Sequence, residues 1–161
     1  VYKYMGDNIM AFFRTAYDAV SCAVAMRSAL KAFNERLASS ETYRKNGISA
    51  LRTGIGISTG NMLLGNIGSQ QRMDESVIGD KVNTGSRLEG LTKQYNVPII
   101  IDEDTYKDIK KIGMISDIGE EGNLEKMLKE GKIFAREIDF VRPKGKQNKI
   151  RIYEVVVPQD L

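Results

Sequence analysis

The stretch GDKVNTGSRLEGLTKQY, residues 79–95, is the most informative part of the sequence. It predicts a helix from about Asp80 to Tyr95, with Asp80 placed to cap the N-terminus. On such a helix Asn83 and Arg87 share one face, with their side chains about 6 Å apart. This pair would present a neutral amide beside a guanidinium, whose planar fork suits phosphate. Taken alone, it is more often a solvated polar face than a site.

Ahead of this helix the sequence predicts a hairpin, a long helix and further strands. The hairpin is expected to be buried and to turn at Gly6-Asp7. From Thr15 to about Ser39, apolar residues recur at three- and four-residue steps, which predicts an amphipathic helix. The polar segments 40–50 and 68–75 predict loops. Five stretches have the composition of strands, the third and fourth joined at Gly60: Val1–Met5, Asn8–Phe13, Leu51–Ser58, Asn61–Ile67 and Glu75–Ile78.

Beyond residue 95 the sequence predicts one more helix and a closing hairpin. Residues 111–131 are rich in Gly, Glu and Lys and predict a surface insertion. The predicted elements are the strand Val97–Ile101, the helix Asp102–Lys110, and the strands Lys132–Val141 and Lys149–Val157 around the turn Pro143–Asn148. Strands mixed with helices favour an α/β sandwich of the α+β kind with a mostly antiparallel sheet. No internal repeat or low-complexity linker divides it, so we expect one domain over residues 1–161.

The composition excludes several classes of function. The chain has 161 residues, 42% of them hydrophobic and 28% charged, which is typical of a folded globular domain. A formal net charge of +3 is too small to argue for a nucleic-acid partner. Because histidine is absent, the chain is neither a serine–histidine hydrolase nor a histidine-ligated zinc protein. The single Cys22 excludes an internal disulfide, and no apolar run has the length of a membrane span. We therefore expect a cytoplasmic domain that does not itself contact a membrane, within a parent protein that is either soluble or membrane-anchored.

Two charged residues of the predicted hairpin are candidates for a site. Asp7 is either an ordinary turn residue or a magnesium ligand, since Mg²⁺ is commonly held by one or two carboxylates together with substrate phosphates. Lys3 is either a solvated edge lysine or a donor to a ligand. Along an extended chain the two lie about 13 Å apart. One copy of the chain is therefore poorly placed to bring both to the same end of a ligand.

Two basic segments offer further candidates. Arg52 enters an apolar strand in LRTGIGISTG, residues 51–60. The glycines of that stretch lack the spacing of a dinucleotide-binding loop and no helix follows them, which excludes that kind of site. RPKGK, residues 142–146, contains Lys144 and could hold a polyphosphate or be a solvated turn.

Four segments, taken in order, resemble the catalytic domain of class III nucleotidyl cyclases, the adenylate and guanylate cyclases of the universal type. They are KYMGDNIMAFF (3–13), LRTGIGISTGNMLLGNIGS (51–69), MDESVIGDKVNTGSRLEGLTKQY (73–95) and PKGKQNKIRIYEV (143–155). VIGDKVNTGSRLEG, residues 77–90, is the most specific part. The resemblance implies a ferredoxin-like core with flanking helices that dimerises head to tail and holds nucleotide between protomers.

The resemblance also implies a role for each candidate residue. Asp7 matches one of two metal-binding aspartates, and Arg52 matches a residue that binds the nucleotide phosphates from the same protomer. The partner protomer of the homodimer would supply the other five: Lys3 and Ser76 to read the base, Asn83 to orient the ribose and the transition state, and Arg87 and Lys144 to bind phosphate.

The implied activity is conversion of ATP to 3′,5′-cyclic AMP and pyrophosphate, assisted by two Mg²⁺ or Mn²⁺ ions, as the output of an upstream sensor or regulatory domain. Lys3 can donate to adenine N1 and Ser76 can accept from the adenine amino group. Guanine N1 would instead face Lys3 donor to donor. The guanylate cyclases of the family typically have glutamate and cysteine at these positions. Ser76 departs from the aspartate or threonine that is more usual there.

Three alternatives stay open at this point. The chain could be a guanylate cyclase, a catalytically inactive regulatory domain of the same fold, or a nucleic-acid binder that uses its lysines. The family's first metal-binding aspartate, with its strand and the following helices, would lie upstream of Val1. We therefore expect this polypeptide alone to be inactive or poorly active, and its parent protein to be the cyclase.

Overall fold

The computed structural model describes residues 2–47, 50–69, 72–118, 129–142 and 149–157. Within these ranges four helices and nine strands follow one another along the chain. The helices are α1 (Ala16–Ser39), α2 (Glu41–Lys45), α3 (Asp80–Tyr95) and α4 (Glu103–Lys111). The strands are β1 (Lys3–Met5), β2 (Asn8–Met10), β3 (Ile55–Ile57), β4 (Leu63–Ser69), β5 (Arg72–Ile78), β6 (Ile99–Asp102), β7 (Ile115–Asp117), β8 (Ile133–Val141) and β9 (Ile150–Val156).

A five-stranded mixed sheet in the order β3-β6-β9-β8-β7 forms the centre of the fold. Its β6–β9 and β8–β9 pairs are antiparallel, whereas β3–β6 and β7–β8 are parallel. The hairpins β1–β2 and β4–β5 are separate antiparallel pairs. Over all the described strands four pairs are antiparallel and two are parallel, whereas the central sheet itself has two of each kind.

Helices cover both faces of the central sheet. On one face, Val20 of α1 and Ile109 of α4 pack in a cluster with Ile99 and Ile101 of β6. On the other face, Leu88 of α3 packs in a second cluster that includes Ile100. Successive side chains of a strand point to opposite faces. This alternation explains why β6 is apolar at three successive positions and buried throughout.

Helix α3 lies unusually close to the edge strand β3. A Cβ atom built on Gly56 would lie 2.2 Å from the backbone nitrogen of Glu89 and 2.2 Å from the carbonyl oxygen of Gly85. A Cβ built on Gly54 would lie 2.0 Å from Oγ1 of Thr92. The glycines of LRTGIGISTG therefore admit a helix backbone against the strand.

The predicted helices are confirmed with small shifts at their ends. Thr15 caps α1, and its Oγ1 accepts a hydrogen bond of 3.1 Å from the backbone N–H of Asp18. The prediction that Asp80 caps α3 is wrong, because Gly79 occupies the cap position and Asp80 is the first helical residue. Asp102 caps α4 in the same way that Thr15 caps α1, by accepting from the backbone N–H of Thr105. None of the helices in the described ranges is long and apolar enough to span a bilayer.

Several strand and loop predictions are wrong. The predicted turn between residues 51–58 and 61–67 is not a hairpin, because β3 pairs with β6 while β4 pairs with β5. The predicted loop at 68–75 mostly belongs to the strands β4 and β5. The predicted loop at 40–50 contains the short helix α2. The predicted insertion at 111–131 contains β7, whose Ile115 is buried in the sheet, and residues 119–128 lie outside the described ranges.

Candidate functional site

The β1–β2 hairpin contains Lys3 and Asp7. Lys3 pairs in register with Met10, and Asp7 lies in the turn beside Gly6, whose φ of 65° favours glycine. The sequence predicts a buried hairpin, but the three residues of β1 are exposed. Lys3 and Asp7 are both solvent-exposed, and neither side chain makes a hydrogen bond or ion pair within the described part of the chain. Both charged groups are therefore available to a ligand.

Helix α3 presents Asn83 and Arg87 one turn apart. Thr84, Leu88 and Thr92 form the buried stripe of this helix and face the sheet. Asn83 and Arg87 each precede a residue of that stripe by one position, so both lie on the same side of it. Asn83 is exposed and Arg87 is half-buried. The described residues contain no hydrogen-bond or ion-pair partner for either side chain. The amide and the guanidinium predicted from the sequence are thus adjacent, and no group in the described ranges pairs with either.

Arg52 is exposed in the segment that leads into β3. Its neighbour Leu51 is held at both backbone groups by one side chain of α1. Nδ2 of Asn34 donates to the carbonyl of Leu51 at 2.9 Å, and the Leu51 N–H donates to Oδ1 of Asn34 at 2.9 Å. This clamp fixes the chain beside Arg52 although the arginine itself extends into solvent.

Ser76 and Lys144 are the two remaining site residues predicted from the sequence. The backbone of Ser76 belongs to β5, where it pairs in register with Gly65 of β4. Lys144 lies outside the described residues, although β8 and β9 on either side of it belong to the central sheet. The far end of α3 is tied to β8, because the Tyr95 hydroxyl donates to Asp139.

The described ranges do not bring the hairpin residues into contact with the α3 residues. No hydrogen bond or ion pair in those ranges joins Lys3 or Asp7 to Asn83, Arg87 or Arg52. Nor do three acidic or cysteine side chains come together there as a ready-made metal site. The single exposed carboxylate of Asp7 suits a metal ion that is also held by substrate phosphates, as Mg²⁺ commonly is.

A buried carboxylate near the start of α3 was not singled out by sequence reasoning. The side chain of Asp102 is 2% exposed and pairs with Lys81, whose Nζ lies 2.9 Å from Oδ2. Ser58 Oγ donates to the same oxygen at 2.7 Å. Oδ1 accepts from the backbone N–H of Thr105 at 2.9 Å and from Oγ1 of Thr105 at 2.6 Å. Lys81 also pairs with the more exposed Asp104.

The pKa values of this ion pair are shifted toward the charged forms. Burial alone would raise the pKa of Asp102, but hydrogen bonds from Thr105, Ser58 and Lys81 hold it below its ordinary value. Burial alone would lower the pKa of Lys81, but its bonds to Asp104 and Asp102 raise it. Both groups stay ionised at neutral pH. The sequence pointed to Asp102 only as an acidic residue at the start of α4. Its pairing with Lys81 had no local pattern, because the two residues are 21 positions apart.

Comparison with known proteins identifies the family. The sequence profile of the adenylate and guanylate cyclase catalytic domain matches residues 2–134. The chain belongs to this family. The fold class and the family that the sequence predicts are both confirmed.

Individual members of the cyclase family resemble the chain over most of its length. An adenylate cyclase of Anabaena cylindrica is 37% identical over 156 residues, which are 95% of this chain. The structure of the adenylyl cyclase CyaB from P. aeruginosa matches 91% of this chain with 30% identity and a TM-score of 0.61. That of the guanylyl cyclase Cya2 matches 99% with 27% identity and a TM-score of 0.61.

The cyclase relatives are longer than this chain. The chain spans 27% of the length of the Anabaena protein, 61% of the CyaB chain and 72% of the Cya2 chain.

Proposed function

We propose that the chain is the catalytic domain of an adenylate cyclase, which converts ATP to 3′,5′-cyclic AMP and pyrophosphate. The observation that carries the proposal is that polar side chains at the family's site positions are exposed and unpaired in the described ranges. Lys3, Asp7, Arg52 and Asn83 are all exposed and have no protein partner in the described ranges. On a domain that belongs to the cyclase family, unpaired polar groups at these positions favour a working site over a decayed one.

Each residue would have a distinct task. Arg87, Arg52 and Lys144 would bind the triphosphate and offset the charge that develops on it. The Asn83 amide would orient the ribose so that its 3′ oxygen is in line with the α-phosphorus. The 3′ oxygen then forms a bond to that phosphorus, the bond to the oxygen that bridges to the β-phosphorus breaks, and the 3′ proton passes to solvent.

Asp7 would bind divalent metal. The resemblance to the family implies two ions, either Mg²⁺ or Mn²⁺. The bound metal would supply Lewis acidity, which would make the ribose 3′-hydroxyl more acidic and offset negative charge on the phosphates. This chain's own contribution is the exposed turn that presents the Asp7 carboxylate.

The site would form between two copies of the chain arranged head to tail. Lys3 and Asp7 lie on one short hairpin, and both are exposed. Asn83 and Arg87 lie on another element, with no described polar contact to that hairpin. A two-fold interface would let one copy supply Asp7 and Arg52 while the other supplies the base-reading and phosphate-binding residues. We expect such a dimer in the cytoplasm, where ATP is available, under control of a further domain of the parent protein.

The test is cyclic nucleotide production by the full-length protein with ATP and Mg²⁺ or Mn²⁺. We expect cyclic AMP from the unchanged protein and a loss of about 100-fold or more in kcat for Asp7→Asn, because the amide no longer attracts a cation. Asp18→Asn, in the first turn of α1, is the matched control and should lower kcat less than about twofold. Full turnover by Asp7→Asn, or none by the unchanged protein, would refute the proposal.

A guanylate cyclase is the second candidate, favoured by the likeness to the guanylyl cyclase Cya2. Lys3 argues against it, because an ammonium and guanine N1–H are both donors. Lys3→Glu should therefore shift the ratio of kcat/KM values from ATP toward GTP by about 10-fold or more. If the ratio does not move, Lys3 does not read the base. If the unchanged protein prefers GTP, the second candidate replaces the first.

A further inference from the structure

The Lys81–Asp102 ion pair has no task in the proposed reaction, yet it joins three elements at the start of α3. Lys81 belongs to the first turn of α3, Asp102 ends β6, and Ser58 follows directly after β3. The strands β3 and β6 are parallel neighbours, with Ile57 beside Ile101, so Ser58 and Asp102 leave the sheet side by side. The ion pair therefore fastens the first turn of α3 to the ends of two sheet strands.

The N-cap position of α3 supplies no side-chain contact that would hold this turn. The cap residue Gly79 has no side chain, and no side-chain hydrogen bond caps the helix. A capping side chain normally satisfies one of the free N–H groups of the first turn. Instead, the stem of Lys81 crosses Gly60 so closely that a Cβ built there would lie 2.7 Å from its Cγ. Gly60 thus leaves the space through which Lys81 reaches Asp102.

Lys81 cannot reach the same ligand atoms as Asn83. Two residues correspond to about 200° of helix rotation, so the two side chains leave α3 on nearly opposite sides. Both carboxylates that Lys81 contacts belong to the protein, which occupies its ammonium. Any effect of Lys81 on the reaction must pass through the position of the helix backbone.

We propose that Lys81 and Asp102 are positioning residues that hold the first turn of α3 in the place where Asn83 and Arg87 meet the nucleotide. The proposal rests on the proposed cyclase function. Asp104 also pairs with Lys81, but its side chain is 57% exposed whereas that of Asp102 is 2% exposed, so we assign the positioning role to Asp102. Asp102, by contrast, accepts from five donors, which come from Ser58, Thr59, Lys81 and Thr105.

The test compares steady-state kinetics of three variants of the full-length protein. Lys81→Met keeps the stem and removes the charge, Asp102→Asn keeps the shape, and Asp104→Asn is the matched control. We expect the first two to lower kcat by about 10- to 100-fold with KM for ATP changed less than about twofold, since the ground-state contacts remain while alignment is lost. Asp104→Asn should lower kcat less than about twofold. Unchanged kcat in Lys81→Met would overturn the proposal.

A double variant separates positioning from stability. Lys81→Met alone leaves a buried carboxylate without its cation, whereas Lys81→Met with Asp102→Asn removes both charges. The double variant should regain most of the lost melting temperature and keep the low kcat. If kcat instead returns together with the melting temperature, the pair is only structural and the proposal is wrong.

Amide hydrogen exchange gives a readout that does not depend on turnover. In an α-helix the N–H groups of Thr84 and Gly85 bond to carbonyls of the first turn, so their exchange reports its opening. We expect at least about 10-fold faster exchange there in Lys81→Met and no change in Asp104→Asn. Unchanged exchange in Lys81→Met overturns the positioning role. Absence of cyclic nucleotide from the unchanged protein would instead refute the cyclase function.

Discussion

Helix α3 and the β1–β2 hairpin contain the two halves of the proposed site, and they are built in opposite ways. α3 buries Thr84, Leu88 and Thr92 against the sheet and lies in backbone contact with β3. The hairpin exposes all of β1 and most of β2, including Tyr4 at 69% and Ile9 at 55%. Packing fixes Asn83 and Arg87, whereas strand pairing and one turn fix Lys3 and Asp7.

The charged groups of the two regions also differ, because those near the start of α3 are paired with one another and, in the described ranges, those of the hairpin are not. Near the start of α3 the charged groups neutralise one another, as Lys81 and Asp102 do. On the hairpin, Lys3 and Asp7 have no protein partner in the described ranges. Substitutions in the buried stripe of α3 should therefore act on folding, and substitutions in the hairpin should act on function. Substitutions of Lys81 or Asp102 should act on both.

The largest effect is expected at the contact between β3 and α3. In Gly56→Ala the new methyl group would lie 2.2 Å from two backbone atoms of α3, which cannot move as a flexible side chain can. The helix must shift away from the strand, and we expect a loss of about 3 kcal/mol or more in the free energy of unfolding. Urea unfolding followed by circular dichroism measures it.

Gly90→Ala is the matched control for this contact. Gly90 lies on the exposed side of α3, where an added Cβ meets nothing within 4 Å. Alanine should raise the unfolding free energy by about 0.5–1 kcal/mol through helix propensity alone. Equal effects at the two glycines would show that the close approach of α3 to β3 does not support the fold.

A smaller effect, dependent on pH, is expected from Asp102→Asn. The pKa of Asp102 is lowered in the folded chain, so its contribution to stability is present above the ordinary value of 3.8 and is lost as pH falls through the folded pKa. At pH 7 we expect Asp102→Asn to be less stable by about 1–3 kcal/mol. Urea unfolding should show this difference shrinking as the pH is lowered below about 4.

Asp104→Asn again serves as the control for this pH dependence. Its exposed carboxylate is screened by water, so its stability should follow that of the unchanged protein across the acid range. A difference between Asp102→Asn and the unchanged protein that stays constant into acid would mean that the Asp102 carboxylate does not stabilise the fold through its charge.

The same contrast explains what could be predicted from the sequence. The helices α1, α3 and α4 were found because apolar spacing and the residue types at helix starts are local signals, even though Asp80 proved to be the first helical residue of α3 and not its cap. The strands β4 and β5 were missed in part because Arg72, Asp74 and Glu75 have the polarity of a loop, although they pair along β4. The short buried β7 was hidden in a segment rich in Gly, Glu and Lys.

The site residues also divide into those that a local sequence motif reveals and those that only the folded chain brings together. Asp7, Lys3, Asn83 and Arg87 could be named because the family resemblance contains them as a motif in sequence order. Lys81 and Asp102 could not, because their contact depends on α3 and β6 being folded against each other. A long-range ion pair with no local pattern is visible only in the folded chain.

The smallest effect is expected on the hairpin itself. Ile9 of β2 is 55% exposed, whereas Ile101 of β6 is 0% exposed, so Ile→Ala at the two positions makes a matched pair. Ile101→Ala should lower the unfolding free energy by about 2–5 kcal/mol, because it leaves a cavity in the core. Ile9→Ala should change it by less than about 0.5 kcal/mol. If urea unfolding gives similar losses at both positions, Ile9 is buried in the folded protein. The hairpin is then part of the core, and Asp7 and Lys3 are fixed by packing as firmly as the residues of α3.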